Sequence, residues 1–235
     1  MQFKPNFDLL RTVNSKELIN ITGDRLCIAI FHRENKTLVC MCDDHRANIA
    51  FDMSEMCLSD DFPIKPDVLL CEMENVGFER KFSPHGYQDS DLTHAAGVAA
   101  KKNIPLVFID LSREQMMDVV NSRFPNNQIV DSDLHNILMP KDHTEQQHEQ
   151  YIWLLRQRDR FMLQNIVVAL NKWDTVFVIF GGTHFVNQRL VLEDMMGKPE
   201  YITKIKNMRG DFSDVKIEPI KLCEFEMAGA DDKKS

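Results

Sequence analysis

The sequence predicts an α/β fold: a central mixed, mainly parallel sheet flanked by helices, with an N-terminal hairpin. Short apolar runs typical of buried strands alternate with longer segments in which apolar residues recur at helical spacing. Apolar runs at 67–71 and 104–109 enclose a helix predicted over 91–102. A strand–helix–strand unit of this kind places its two strands side by side and parallel, because the helix carries the chain back across the sheet.

The other elements follow in order along the chain. Strands at 26–32 and 37–42 flank the polar turn Arg33–Lys36 and form the hairpin. The segment 151–170 is the clearest helix, and the strongly apolar run 175–180 is a further strand.

The C-terminal part of the chain is less regular. A helix over 185–196 ends before Gly197 and Pro199. Residues at about 122–150 combine prolines with a polar tract and predict a helical or mobile insertion. The remaining expectations are an edge strand at 214–220, one domain over 1–227 and a disordered tail at 228–235.

Composition narrows the class of protein. With 235 residues, 43% hydrophobic residues and a net charge of -8, the chain suits one acidic globular domain and not a nucleic-acid binder. No apolar run is long enough for a membrane span, and the N-terminus lacks the apolar stretch of a secretory signal. Three of the six cysteines (Cys27, Cys40 and Cys71) lie in strand-like runs, which favours buried reduced thiols and a cytoplasmic protein. A peptide or small-molecule substrate is the expected partner, and a homo-oligomer stays open.

Polar residues follow each predicted strand of the sheet. Ligands of parallel α/β sheets bind beyond the carboxyl ends of the strands, so these residues are expected to converge on one edge. They are Asp43, Asp44 and His45 after the second strand, Glu72 after the third, Asp110 after the fourth, and Gly181, Gly182 and His184 after the fifth.

His184 is the candidate base or metal ligand of this group. The pair Gly181-Gly182 allows a close backbone approach, and Thr183 is the expected N-cap, which places His184 in the first turn of the next helix. The positive end of a helix disfavours imidazolium, so a neutral imidazole is expected. A glycine turn followed by a surface histidine fits the segment equally well.

Arg158 gives an independent indication. It falls within the apolar stripe of the helix 151–170, between Leu155 and Met162. A guanidinium facing the core needs an anionic partner, for which Glu72 or Asp110 would serve. The alternative is that the long side chain reaches the edge of the helix and solvent.

The order of these pieces resembles the Tiki/TraB superfamily, which includes erythromycin-esterase-like and haem-uptake proteins. The resemblance covers roughly residues 26 to 200 and rests on Val68-Leu-Leu-Cys-Glu72, Arg158-Asp-Arg-Phe-Met162 and Gly181-Gly-Thr-His184. The first family motif, G-x-x-H, reads Cys42-Asp-Asp-His45, with cysteine in place of glycine.

The resemblance implies a metal-dependent hydrolase of the Tiki-like peptidase type, which cleaves an amide or ester bond. It assigns His45, Glu72 and His184 to a divalent metal ion (Mn, Co, Zn or Fe), with Glu72, Arg158 and His184 as the catalytic residues. Arg158 would hold a substrate carboxylate or stabilise an oxyanion. Two alternatives stay open: a metal-independent, erythromycin-esterase-like hydrolase, and a non-catalytic haem- or partner-binding relative, which Cys42 favours.

Overall fold

The computed structural model describes residues 2–13, 20–21, 27–43, 47–74, 91–138 and 143–202. Twelve helices and strands lie in these ranges besides a short 3-10 turn at Phe7–Leu9. In chain order they are β1 (Cys27–Arg33), β2 (Lys36–Asp43), α1 (Ala47–Leu58), β3 (Val68–Glu74), α2 (Asp91–Lys101), β4 (Leu106–Asp110), α3 (Arg113–Arg123), α4 (Asp131–Leu138), α5 (Glu145–Lys172), β5 (Thr175–Gly181), α6 (Gly182–Met196) and β6 (Glu200–Ile202).

In the described part of the chain, the sheet has six strands in the order β4-β3-β5-β2-β1-β6. The four strands β4, β3, β5 and β2 run parallel to one another, whereas β1 pairs antiparallel with both β2 and β6. The predicted fold class is therefore confirmed, including the N-terminal hairpin and the parallel pairing of the third and fourth strands. The carboxyl ends of the four parallel strands lie along one edge of the sheet.

Each face of the sheet is covered by its own pair of helices. Buried residues of α5 and α6 pack with one set of alternate strand residues, and buried residues of α1 and α2 pack with the other set. The strands follow the period-two pattern of a sheet buried on both sides, which is why they read as continuous apolar runs. The result is a three-layer arrangement with the sheet in the middle.

The predicted insertion at about 122–150 is largely helical, with an irregular connection at 124–130. It contains the end of α3, the whole of α4 and the start of α5, and residues 139–142 lie outside the described ranges. These helices share a third apolar cluster that includes Leu134 and Leu154. Capping boxes at Ser112 and Thr144 begin α3 and α5, and their side chains satisfy backbone N–H groups that a helix start leaves open.

The end of β5 and the start of α6, which meet at Gly181-Gly182, differ from the prediction. Gly181 is both the last residue of β5 and the N-cap of α6, so the expectation that Thr183 caps this helix is wrong. The strand runs directly into the helix, and Thr183 lies inside the first turn for that reason. His184 does lie in the first turn of α6, as predicted.

The remaining expectations concern the cysteines, membrane spans and the C-terminal residues. The described cysteines Cys27, Cys40, Cys42, Cys57 and Cys71 are buried and form no disulfide. None of the described helices combines the length and apolar character that crossing a membrane requires. The predicted strand at 214–220 and the tail at 228–235 lie outside the described residues.

Candidate functional site

Glu72 lies in an irregular stretch of β3 and not at its end. Cys71 pairs with Phe108 and Glu74 with Asp110, so β3 holds one more residue than β4 over this interval. Such a bulge re-aims a side chain and is frequent beside functional sites. The Glu72 carboxylate is buried, and its Oε2 atom accepts the backbone N–H of Gly181 at 2.6 Å. β3 and β5 are thereby joined at the carboxyl edge of the sheet.

Arg158 lies between Glu72 and Asp110. Its Nη2 atom donates to Glu72 Oε1 at 2.9 Å, and its Nε atom donates to Asp110 Oδ1 at 3.0 Å. Burial alone would lower the pKa of the guanidinium, but the adjacent carboxylates of Asp110 and Glu72 outweigh it and raise that pKa. Arg158 is therefore paired and does not reach solvent alone. Its partners are Glu72 and Asp110, the two carboxylates expected from the sequence.

His184 is almost fully buried, and each of its ring nitrogens lies close to a carboxylate oxygen. The Nδ1 atom lies 2.7 Å from Asp159 Oδ1, and the Nε2 atom lies 3.1 Å from Glu72 Oε1. Burial lowers the pKa of this histidine, but Glu72 and Asp159 more than offset that effect and raise the pKa to about 10. These two carboxylates act against the positive end of the helix, which alone would favour a neutral imidazole.

Asp159 was not singled out from the sequence, although it is fully buried. Besides His184, it accepts hydrogen bonds from Asn187 Nδ2 and Gln188 Nε2, each at 2.8 Å. All three partners lie on α6, so Asp159 fastens α5 to α6 through polar contacts alone. The sequence signal was present: Asp159 follows Leu155 and precedes Met162 at helical spacing, which places its carboxylate on the same buried stripe.

Three of the four site residues predicted from the sequence are gathered in this network: Glu72, Arg158 and His184. The fourth, His45, lies outside the described residues, as does Asp44. The backbone of Asp43 is described and pairs with Gly181, so β2 ends beside the start of α6. Cys42 is buried opposite Phe180, and its Sγ atom donates to the Cys40 carbonyl at 3.5 Å.

The residues that would hold a divalent metal fit that role in part. The bond from His184 Nδ1 to Asp159 is the outer contact that metal-binding histidines use, and it leaves Nε2 as the ligand atom. Glu72 Oε1 lies beside that atom. Within the described ranges, no three histidine, cysteine, aspartate or glutamate side chains gather as a metal site. The described residues therefore offer two ligands, and the third ligand implied by the resemblance is His45.

Comparison of the chain with protein-family models, with curated proteins and with solved structures finds no match. The class of the protein consequently rests on its own fold and site. It is an α/β domain that carries a buried network of three carboxylates, one guanidinium and one imidazole at the carboxyl edge of its sheet.

Proposed function

We propose that this protein is a hydrolase of the Tiki/TraB type, which cleaves an amide or ester bond at the carboxyl edge of its sheet. The observation that carries the proposal is the clamped imidazole. His184 is fixed by Asp159 through Nδ1, and its Nε2 atom lies 3.1 Å from a buried glutamate. A histidine that a carboxylate orients, next to a second acid, is the recurring arrangement for moving a proton or activating water.

Each described residue has a role in this proposal. Asp159 holds the ring in one orientation, and Glu72 is the acid that faces the reacting nitrogen. Arg158 holds the Glu72 carboxylate in place, because its guanidinium is bonded to that carboxylate and to Asp110. A guanidinium at this position also favours an oxyanion that develops on the substrate.

The metal-dependent form is the one that we favour. His184 Nε2 and Glu72 would hold a divalent cation, together with His45 as the resemblance implies. When bound, such an ion polarises the substrate carbonyl and lowers the pKa of its bound water. The charges of the described network support this form: three carboxylates face one guanidinium and one imidazole. A neutral imidazole beside a doubly charged cation would balance those charges.

The metal-independent form is favoured by one specific observation. The His184 Nε2 atom already has a carboxylate partner, and the pKa of His184 is raised to about 10 by Glu72 and Asp159 against the effect of burial. An imidazolium with that pKa stays protonated near neutral pH, and it can give its proton to a strongly basic leaving group. In this form His184 would protonate the leaving group and Glu72 would accept the proton of the attacking water.

Metal analysis and hydrolysis of the wild type beside His184→Ala test the proposal. His135→Ala is the matched control, because His135 is an exposed histidine on α4. We expect the wild type and H135A to retain a divalent metal and to hydrolyse p-nitrophenyl esters or unstructured peptides. In H184A we expect loss of the metal and a fall in kcat/KM of about 10²-fold or more.

The outcomes separate the two forms. Equal and negligible metal in all three proteins, with hydrolysis that a chelator does not reduce, would favour the metal-independent form. If the wild type hydrolyses no ester or peptide when Mn, Co, Zn or Fe is supplied, the proposal of a hydrolase is wrong. Haem titration would then test the binding alternative, because a bound haem gives an intense absorption band.

A further inference from the structure

The N-terminal segment 2–13 lies against the helices that carry the site. Phe3 and Leu10 are buried in the apolar cluster of α5 and α6, and the Arg160 guanidinium stacks over the Phe7 ring at 5.0 Å from its centroid. These contacts hold the segment to the same face of the sheet as His184. A segment with so few regular hydrogen bonds of its own depends on its partners for position.

Three backbone N–H groups of this segment are bonded to two asparagines. The Phe3 N–H donates to Asn171 Oδ1 at 2.9 Å, at the C-terminal end of α5. The Arg11 and Val13 N–H groups both donate to Asn187 on α6, the first to its backbone carbonyl at 3.0 Å and the second to its side-chain Oδ1 at 2.9 Å.

The bond from Val13 fixes which way the Asn187 amide faces. Since Oδ1 accepts from a backbone N–H, the NH₂ group must lie on the other side, where Nδ2 donates to Asp159 Oδ2 at 2.8 Å. A flipped amide would place two donors together and an oxygen against a carboxylate. Asn187 is fully buried, so water does not offer a replacement for either bond.

We propose that Asn187 is a positioning residue for His184, and that the backbone of the N-terminal segment sets its orientation. The contacts form a continuous series: the Val13 N–H, the Asn187 amide, the Asp159 carboxylate and the His184 ring. Asn187 is the described donor that reaches Asp159 Oδ2, while Oδ1 serves Gln188 and His184. Displacement of the segment would free the amide to rotate, and Asp159 would lose the bond that fixes its plane.

This inference deepens the proposed function, since it concerns the same histidine, but it is testable without any activity. The readout is the Nδ1 proton of His184 in a proton NMR spectrum of the full chain. A proton held against a buried carboxylate resonates far downfield and exchanges slowly with water. Its absence in His184→Gln assigns the signal.

Two variants break the series at different links. Asn187→Ala removes the amide, and Val13→Pro removes the backbone N–H that orients it while leaving the side chains of Asn187, Asp159 and His184 unchanged. We expect the Nδ1 proton to exchange about tenfold faster or to disappear in both, because a buried bond to a charged group is lost or loosened.

Matched controls separate positioning from general loosening. Asn171→Ala removes the bond between the segment and the other asparagine, and Thr12→Pro places a proline one residue before Val13, at an exposed position. Both controls are expected to leave the His184 signal unchanged. An unchanged signal in N187A or V13P, or an equal loss in N171A and T12P, would overturn the proposal. Were N187A to fail to fold, V13P beside T12P would decide the question.

The activity of the same variants distinguishes this inference from the proposed function. If neither the wild type nor any variant hydrolyses a substrate, the NMR result still decides whether Asn187 positions His184. If the wild type is active, N187A and V13P are expected to lower kcat more than they raise KM, because His184 would be misplaced in the reaction step.

Discussion

The two ends of the parallel sheet use charge in different ways. At the carboxyl end, the buried carboxylates of Glu72 and Asp110 are both paired with the partly buried guanidinium of Arg158. At the amino end, Lys36 pairs with Asp174 at 2.7 Å, but the Asp174 side chain is 62% exposed. A buried charge costs stability unless it is paired, whereas an exposed pair contributes little in either direction. The buried charges lie at the carboxyl end of the sheet, which is also the end where function is expected.

Arg158→Met is expected to have the largest effect on stability. It leaves the carboxylates of Glu72 and Asp110 buried without their shared cation, so we expect the free energy of unfolding to fall by about 3–5 kcal/mol. Urea denaturation measures the change. The control is Arg156→Met, an exposed position on the same helix, which is expected to be nearly neutral. Similar losses in both variants would remove the distinction between the two ends.

Asp159→Asn should have the next largest effect. The substitution keeps the shape of the side chain but removes the charge that holds His184, and it sets two amide groups against each other at Asn187. We expect a loss of about 2 kcal/mol in the free energy of unfolding. Asp118→Asn, at an exposed site on α3, is the control. A neutral D159N would mean that the buried carboxylate is not a partner of the imidazole.

The pH dependence of that loss sharpens the comparison further. In metal-free protein the pKa of His184 is about 10 when folded, because Glu72 and Asp159 outweigh burial, against an unfolded value near 6.5. Folding then favours proton binding, so this stabilisation is complete below about pH 6.5 and is lost as the pH rises through 10. The difference between wild type and D159N should shrink over that range. A constant difference up to pH 11, in the presence of chelator, would contradict the pKa.

At the amino end, Asp67→Ala is expected to have a modest effect. Asp67 Oδ2 accepts the backbone N–H groups of Asp174 and Thr175 at 3.1 Å and 2.8 Å. The site is exposed, so water replaces the lost acceptor and the expected cost is about 1 kcal/mol. Thermal or urea unfolding measures it. A cost as large as that of R158M would show that this end, too, depends on its charges.

Asp174→Asn is expected to have the smallest effect. It weakens the pair with Lys36, whose Nζ atom also donates to the Trp173 carbonyl at 2.9 Å and keeps that bond. The expected loss is below about 1 kcal/mol, and it should diminish further in 1 M salt. A large loss that salt does not reduce would be inconsistent with an exposed pair.

The sheet and four residues of the charged network were predictable because their signals are local. Apolar runs marked the strands, and the polar residue after each run marked the edge where Glu72, Asp110 and His184 gather. Arg158 stood out because a charge within an apolar stripe needs a partner. These inferences depend only on period, length and the direction of parallel strands.

The missed features depend on contacts between distant elements. Asn187 and Gln188 read as ordinary polar residues of a helix, and only the packing of α6 on α5 turns them towards Asp159. The bulge that re-aims Glu72 depends on register with β4, which one strand alone does not specify. β6 is three residues long and owes its conformation to pairing with β1. The helix α3 was not predicted, although the sequence marks its start, since Ser112 and Gln115 form a capping box.

The position of β5 in the sheet has a consequence for how the molecule assembles. β5 is the last of the parallel strands in the chain, yet it lies between β2 and β3. The hairpin β1–β2 and the unit β3–α2–β4 therefore stay separate until residues 175–181 are inserted between them. During synthesis, the hairpin exposes apolar faces while the 131 residues between Asp43 and Thr175 are added, and the β3–α2–β4 unit does so while the 64 residues between Asp110 and Thr175 are added. We expect the insertion of β5 to be a slow last folding step that is sensitive to aggregation. The same step completes both the sheet and the charged network.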